Sequence, residues 1–240
     1  MSLVDLSFPP LFRGETTPPG VDPFAKAIAT ATLGCDPGLI VHNDGGDTMK
    51  AALVLAPDTT LEPAMAMVFA TGLGFSDALG ALAPPEVGVH LEWPNVIRVN
   101  GARCGRLRAA AATTDPNVEP AWLVVGLEVA VTLPEGQEPG SNPDQTALHE
   151  EGCVEVDPYR LLESWSKHTL VWINHWLDEG IQRLHAEWRS KAHGLGETTE
   201  IEIDGQIETG TFVGLDESGG MLLRTGDQTR LVPLSSMLET

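Results

Sequence analysis

The sequence predicts an α+β protein. A mixed β-sheet with packed helices is expected over residues 1–195, and a small β-barrel over residues 196–240. Helical segments alternate with short apolar runs through the first part, which is typical of helices packed on a sheet. After residue 198, apolar residues recur at every second position between Gly-containing turns. Hydrophobic residues make up 42% of the 240 positions, enough for a sizeable core.

The first third of the chain predicts an irregular start, a short helix and a long helix. Residues 1–20 are proline-rich and are expected to be irregular. Asp22 as N-cap and Pro23 in the first turn predict a helix that ends at Gly34. Two strands are expected at 38–42 and 51–57, joined by the loop 43–50, and a long buried helix at 62–82. Glycines within that helix, at 72, 74 and 80, indicate either a weak helix or close packing.

The later elements follow from turn signals and periodicity. Asn100-Gly101 between two extended runs predicts a two-residue hairpin turn. Residues 121–133 predict a central strand, and residues 158–193 predict two helices separated near Gly180. Four or five short strands follow. Their alternating apolar residues are expected to pack against the main body: Ile201, Ile203, Phe212, Leu222 and Leu231.

Composition argues against several classes of protein. The formal net charge of −20 repels phosphate groups, so nucleic acid and anionic membranes are not expected as partners. The apolar stretches are interrupted before the roughly 20 residues that a membrane span needs, and the start of the sequence does not resemble a signal peptide. Three cysteines, far apart and without a CxxC pair, predict reduced thiols in a cytoplasmic protein without a zinc site.

Four arginines cluster around the predicted hairpin turn. Strict pairing across Asn100-Gly101 would place Arg98 opposite Arg103, Asn95 opposite Arg106, and Trp93 opposite Arg108. Like charges directly opposed across strands are destabilising unless a negative group lies between them. Two interpretations remain: nearby carboxylates neutralise the arginines, or the sheet face binds an anion such as a phosphate or a ligand carboxylate.

Three segments around this hairpin resemble the biotin protein ligases in order and spacing. They are Glu92-Trp93-Pro94-Asn95, Arg103-Cys104-Gly105-Arg106-Leu107 and Val124-Val125-Gly126-Leu127. The family carries Lys-Trp-Pro-Asn-Asp, then a basic residue before Ala/Gly-Gly-Ile-Leu, then Gly-Ile-Gly-Ile-Asn. The succession of helices and strands also fits, and the C-terminal strands are similar to the SH3-like barrel of the family.

The resemblance implies a function and a site. In such ligases the carboxylate of biotin, or of a related acyl cofactor, attacks the α-phosphorus of ATP with Mg²⁺ present, which forms an acyl-adenylate and releases pyrophosphate. A lysine of a carrier protein then takes the acyl group and AMP leaves. It implies Arg103 as the catalytic residue, because this position matches the family's lysine at the biotin carboxylate and the adenylate phosphate. No metal-ligating residue is assigned. The expected ligand-binding residues, all in one cleft over the sheet, are Asn43, Asp44, Gly45, Gly46, Trp93, Asn95, Gly105 and Arg106.

Several family positions are changed in this chain. Glu92 replaces the motif's lysine, Val96 replaces its acid, and Leu127-Glu128 lacks the Asn. The loop 43–47 contains two aspartates and no arginine, where the family has an arginine-rich adenylate loop. Two functions therefore stay open: an ATP-dependent ligase, or a non-catalytic module that binds a small carboxylate or a carrier protein. Cys104 is interpreted as a buried structural thiol rather than a nucleophile.

Overall fold

A computed structural model describes residues 6–134, 136, 138, 140–203 and 205–239 of the chain. An eight-stranded mixed sheet has the strand order β1-β2-β3-β7-β6-β5-β4-β8. Its strands are β1 (Arg13–Thr16), β2 (Leu39–His42), β3 (Thr48–Leu55), β4 (Val89–Glu92), β5 (Val96–Val99), β6 (Ala102–Ala111), β7 (Leu123–Ala130) and β8 (Ala192–His193). The helices are α1 (Pro23–Thr32), α2 (Leu61–Ala64), α3 (Ala66–Leu82), α4 (Pro158–Glu179) and α5 (Ile181–Ser190).

The two faces of this sheet are covered by different helices. On the first face, side chains such as Leu53 and Val125 belong to one large core with α3 and α4. On the second face, Val41 and Val124 pack on Phe24 and Ala27 of α1. Helix α1 begins as predicted, because the carboxylate of Asp22 accepts a hydrogen bond from the Phe24 amide. The second face is the one that carries the arginines.

The long buried helix of the prediction is present, divided at Met65 into α2 and α3. Leu61–Leu82 is long and apolar enough, by length and composition, to cross a membrane, so the expectation that every apolar stretch is too short is wrong. However, 78% of the most apolar 18-residue stretch of this segment is buried inside the protein. A Cβ atom on Gly74 would lie 2.3 Å from the Thr169 hydroxyl of α4, which confirms the close-packing interpretation at this position, whereas a Cβ atom on Gly80 would have no neighbour within 4 Å.

Two expectations about irregular segments are wrong. Residues 13–16 form the exposed strand β1, which pairs in parallel with β2. The loop 43–50 is also shorter than expected, because β3 already begins at Thr48, which pairs with Ala130. In both places, pairing with a distant strand determines the backbone conformation, and the local sequence carries little signal for it.

The C-terminal strands form a separate antiparallel sheet that packs on the main body. Its order is β12-β11-β10-β9, from β9 (Thr198–Ile203), β10 (Gln206–Leu215), β11 (Met221–Thr225) and β12 (Gln228–Val232). This arrangement is consistent with an SH3-like domain, although no pairing that would close a barrel is seen in the described residues. Phe212 contacts Trp188 of α5 edge-on, with 6.4 Å between ring centroids, so the two sheets share one core.

The predicted apolar set of this small sheet is only partly correct. Ile203 and Phe212 are buried, and Ile201 and Leu222 are half-buried. Leu231 is 44% exposed, so its placement against the main body is wrong. Its neighbour Val232 is buried instead, because alternate residues of a strand point to opposite faces.

Candidate functional site

The arginine-bearing hairpin has the predicted turn. Asn100 and Gly101 both adopt positive φ angles, of 49° and 93°, as a two-residue turn of this kind requires. Arg98 then lies opposite Arg103, as predicted. Beyond this pair the register shifts, because Ile97 pairs with Gly105 and leaves Cys104 as an extra residue in β6. The hairpin therefore contains a β-bulge at Cys104.

Two of the predicted pairs are wrong. Val96, not Asn95, lies opposite Arg106. Asn95 instead pairs with Leu107: its carbonyl accepts from the Leu107 amide at 2.7 Å, and its Nδ2 donates to the Leu107 carbonyl at 3.1 Å. Trp93 does not lie opposite Arg108, because it is in the turn that joins β4 to β5. Its indole Nε1 donates to the carbonyl of Gly219 at 3.0 Å.

The bulge also places all four arginines on the second face of the sheet. Arg98 and Arg103 share a face because they are directly opposed. Arg106 and Arg108 alternate with the core residue Leu107, so they point away from the first face. Because of the extra residue at Cys104, the side chain of Arg103 lies on the same face of the sheet as those of Arg106 and Arg108. The result is a continuous row of guanidinium groups across two strands.

Carboxylates neutralise Arg98 and Arg103, the two arginines next to the hairpin turn. Arg98 is buried and donates to Glu92 at 2.5 Å and to Asp144 at 2.8 Å. Arg103 donates to the other oxygen of Glu92 at 2.9 Å, and its Nε lies 3.3 Å from Asp144. Two carboxylates thus lie between two opposed arginines. The hydrogen bond from Arg98 lowers the pKa of Asp144, an effect that outweighs its slight desolvation.

Arg106 and Arg108, the two arginines farther along β6, are neutralised in the same way. Arg106 donates to Glu128 of β7 at 2.7 Å, and Lys50 of β3 lies in register with Glu128 on its other side. Arg108 donates to Glu128 at 3.1 Å and to Asp22 at 2.9 Å. The interpretation that nearby carboxylates neutralise the cluster is therefore confirmed at all four arginines.

Glu239 provides a further partner to Arg108. Its two carboxylate oxygens accept from Nε and Nη2 of Arg108 at 2.7 and 2.6 Å, a bidentate arrangement. The guanidinium carbon lies 4.1 Å from the centroid of the Phe24 ring, in a cation–π contact. No sequence signal predicts the pairing of Arg108 with Glu239, because 131 residues separate the two along the chain.

These contacts shift the pKa values of the carboxylates on this face. Burial alone would raise the pKa of Glu128, but the hydrogen bond from Arg106 and the charges of Arg106, Lys50 and Arg108 lower it overall. The same balance lowers the pKa of Asp22, where Arg108 outweighs desolvation. Both groups are therefore held in the ionised form that the arginines require.

Three of the expected site residues line one cleft. A cleft of about 720 Å³ between the main sheet and the C-terminal segment is lined by Trp93, Asn95 and Arg103, together with Glu92, Ser236 and Glu239 among others. Gly105 and Arg106 are not among its lining residues. A Cβ on Gly105 would lie 2.5 Å from the Glu128 carbonyl, so this glycine permits the close approach of β6 and β7.

The loop 43–47, which contains the other four expected residues, is held by internal contacts. The Asn43 amide donates to the carbonyls of Gly45 and Thr48, each at 2.8 Å, and its oxygen accepts from the Lys50 amide. Asp44 accepts from the Tyr159 hydroxyl at 2.8 Å, which raises the pKa of that tyrosine. The loop residues do not line the cleft at Arg103.

The structure also bears on metal ligation and on the reactivity of Cys104. In the part of the chain that the structure describes, no group of three or more His, Cys, Asp or Glu side chains is arranged to hold a metal ion. Asp47, the other loop aspartate, accepts from the Thr132 hydroxyl. Burial raises the pKa of the Cys104 thiol to about 12, which disfavours the thiolate that a nucleophile needs.

Comparison with family models identifies the class of protein. Residues 8–190 match the model of the biotin/lipoate A/B protein ligase family, and residues 195–240 match a domain of unknown function (DUF4444). The first match spans most of the chain. The chain therefore belongs to the biotin/lipoate A/B protein ligase family, as the motif order around Trp93 and Arg103 predicts.

Individual relatives are more distant in sequence than in fold. A biotin–[acetyl-CoA-carboxylase] ligase of Paracoccus denitrificans is 26% identical over 186 residues, covering 77% of each chain. The bifunctional ligase/repressor BirA of Bacillus subtilis is 22% identical over 199 residues, covering 78% of this chain and 56% of BirA.

Solved structures confirm the architecture. A biotin protein ligase-like protein of unknown function from Silicibacter sp. TM1040 has a TM-score of 0.90 and 52% identity, covering 98% of this chain and all of the other. Biotin protein ligase from Aquifex aeolicus has a TM-score of 0.73 at 19% identity, covering 94% of each chain, which shows the shared fold.

Proposed function

We propose that this protein is a binding member of the ligase family that holds a small carboxylate ligand at Arg103 and does not form an acyl-adenylate efficiently. The observation that carries this proposal is the neutralisation of the arginine row. Among the described residues, five cations on the second face meet five carboxylates. The cations are Lys50, Arg98, Arg103, Arg106 and Arg108, and the carboxylates are Asp22, Glu92, Glu128, Asp144 and Glu239.

Adenylation requires a different electrostatic arrangement. A bound nucleoside triphosphate carries several negative charges, and catalysis of phosphoryl or nucleotidyl transfer depends on cations and N–H donors gathered around them. Here each arginine already has a carboxylate partner, and the short loop 43–47 adds Asp44 and Asp47 rather than arginines. A single carboxylate ligand needs less: Arg103 is 46% exposed in the large cleft, and a ligand can compete for its outward-facing donors.

Ligase activity is the second candidate, and one observation favours it. Trp93 and Asn95, from the motif that the family shares, are held in defined positions beside Arg103 in the same cleft. The curated ligase of Paracoccus denitrificans supports the same candidate. In this case biotin or a related acyl cofactor, ATP and Mg²⁺ would be the substrates, and a carrier protein would accept the acyl group.

The two candidates differ in measurable ways. We expect lipoate or biotin to bind the wild type in calorimetry, Mg-ATP to bind weakly, and pyrophosphate release to stay at background. Arg103→Ala should weaken the binding of the acid by about 10- to 150-fold, because a charge-assisted contact contributes about 1.5–3 kcal/mol. Arg13→Ala, at an exposed arginine on the far edge strand β1, is the matched control.

Three results would reject the binding proposal. Robust pyrophosphate release with biotin and Mg-ATP would establish the ligase instead. Tight ATP binding that Arg103→Ala leaves unchanged would place the nucleotide elsewhere. Failure of both acids to bind the wild type would rule out a small carboxylate as the ligand. A carrier protein would then be the remaining partner to test.

A further inference from the structure

A second place on the molecule combines a cation with an apolar wall, at the side of the arginine row next to α1. A cavity of about 260 Å³ is lined by Phe24, Ile28, Ala110, Trp122, Arg108 and Glu239. Phe24 and Ala110 are buried, and Ile28 and Trp122 are half-buried. The cavity is separate from the cleft at Arg103, which Arg108 does not line. It combines apolar walls with a few polar groups, as small-molecule sites do.

The three carboxylates around Arg108 are not equally fixed. Asp22 is also the N-cap of α1, and Glu128 lies in the central strand β7 and binds Arg106 as well. Glu239 has neither role. Its side chain is 42% exposed, and its main-chain amide donates to the carbonyl of Ala109 at 2.8 Å.

The position of Glu239 on the guanidinium is the one that a free carboxylate would take. It uses both oxygens on the Nε and Nη2 side, which leaves Nη1 to Asp22 and Glu128. A planar bidentate pair of this kind is the preferred geometry between arginine and carboxylates in general. Glu239 therefore presents to the cavity the same chemical group that an external acid would present.

We propose that Arg108 and the adjoining apolar cavity form a site for a small monocarboxylic acid with an aliphatic or aromatic body, and that Glu239 is an internal competitor for this site. The carboxylate of the acid replaces that of Glu239 on Nε and Nη2, and its apolar body packs against Phe24, Ile28 and Trp122. The inference goes beyond the proposed function, which concerns the cleft at Arg103. Because Glu239 borders both cavities, its release would also widen the cleft.

The test compares acids with a neutral analogue. Octanoate, benzoate and benzamide are titrated by calorimetry into Arg103→Ala protein, a background that weakens the ligand site of the proposed function. Glu239→Ala is added to this background, and Glu217→Ala, at an exposed glutamate between β10 and β11, is the matched control. An internal competitor that occupies the site nine-tenths of the time weakens apparent affinity about tenfold.

We expect one or both acids to bind about tenfold more tightly after Glu239→Ala, and to bind unchanged after Glu217→Ala. Benzamide should not bind at these concentrations. Equal acid binding with and without Glu239→Ala, binding of benzamide as tight as that of benzoate, or no binding of either acid to the Glu239→Ala protein would each overturn the proposal. Glu239→Gln, which keeps the size of the side chain, repeats the comparison if Glu239→Ala lowers stability. None of these results bears on lipoate or biotin at Arg103.

Discussion

The indole Nε1 of Trp93 donates a hydrogen bond to the carbonyl of Gly219 at 3.0 Å, which ties the main sheet to the small C-terminal sheet. Trp93 lies in the segment that the family shares, and Gly219 lies in the turn between β10 and β11. Trp93 is 5% exposed, and the Gly219 residue is buried as well. A family motif residue in this protein therefore has a structural role between the two sheets.

Trp93→Phe should destabilise the protein by about 1–3 kcal/mol. The substitution keeps an aromatic ring but leaves the buried Gly219 carbonyl without its donor, and an unpaired buried acceptor has this cost. The free energy of unfolding from urea titration measures the effect. Trp122→Phe, at a half-buried indole next to α1, is the control and should have a smaller effect. Equal losses in the two variants would mean that the hydrogen bond adds little.

Glu92→Gln should also lower stability, by about 1.5–3 kcal/mol. Glu92 accepts from both Arg98 and Arg103, and Arg98 is buried, so the substitution leaves a buried guanidinium with less compensation. Urea titrations of the variant and of Glu86→Gln, at an exposed residue before β4, make the comparison. Glu86→Gln should lie within about 0.5 kcal/mol of the wild type. A Glu92→Gln protein as stable as the wild type would contradict the arginine–carboxylate arrangement as a source of stability.

Stability should fall in acid because of Glu128. The arginines hold its pKa below the ordinary value of 4.5, so its contribution is complete above that pH and is lost as the pH falls through the lower folded-state pKa. Unfolding free energies at pH 7, 5, 4 and 3 should decrease less steeply for Glu128→Gln than for the wild type. Glu155→Gln, at an exposed residue, should keep the wild-type slope. Parallel curves for all three proteins would assign the acid sensitivity to other groups.

The Cys104 thiol should resist alkylation in the native protein. Burial raises its pKa to about 12, so at pH 8 the thiolate that reacts with iodoacetamide is scarce. Cys35, which is half-exposed, should be labelled first. Mass spectrometry of peptides after timed labelling, with and without urea, measures the order. Labelling of Cys104 as fast as Cys35 without urea would show that β6 opens readily.

The sequence predicts the elements of this fold better than their registers. The start of α1 at Asp22-Pro23 and the break between α4 and α5 at Gly180 are correct, because capping residues and glycines act locally. The strand β1 was missed because its conformation depends on a distant partner, β2. Leu231 was misplaced because alternation indicates that a strand has two faces but not which of them is covered.

The candidate site shows the same division between local and distant information. The turn at Asn100-Gly101 predicts the pair Arg98–Arg103 correctly, since two residues of turn fix the first pairs. The predicted pair Asn95–Arg106 is wrong because nothing in the sequence around Cys104 indicates a bulge. The carboxylates were anticipated as a class, but Asp144 and Glu239 come from segments far along the chain, so their identity depends on the fold.

The bulge at Cys104 has a consequence for insertions and deletions in this hairpin. Removing one residue from a regular strand exchanges its inner and outer side chains from that point onward. This exchange strongly destabilises the fold where one face is buried. Position 104 is different: a chain without it would pair Arg98 with Arg103 and Ile97 with Gly105 in uninterrupted alternation. Deletion of Gly105 would have the same effect, because Cys104 would then pair with Ile97 on the core face. Length variation in this hairpin should therefore be tolerated at the bulge, and related chains one residue shorter there would display the same outward-facing row.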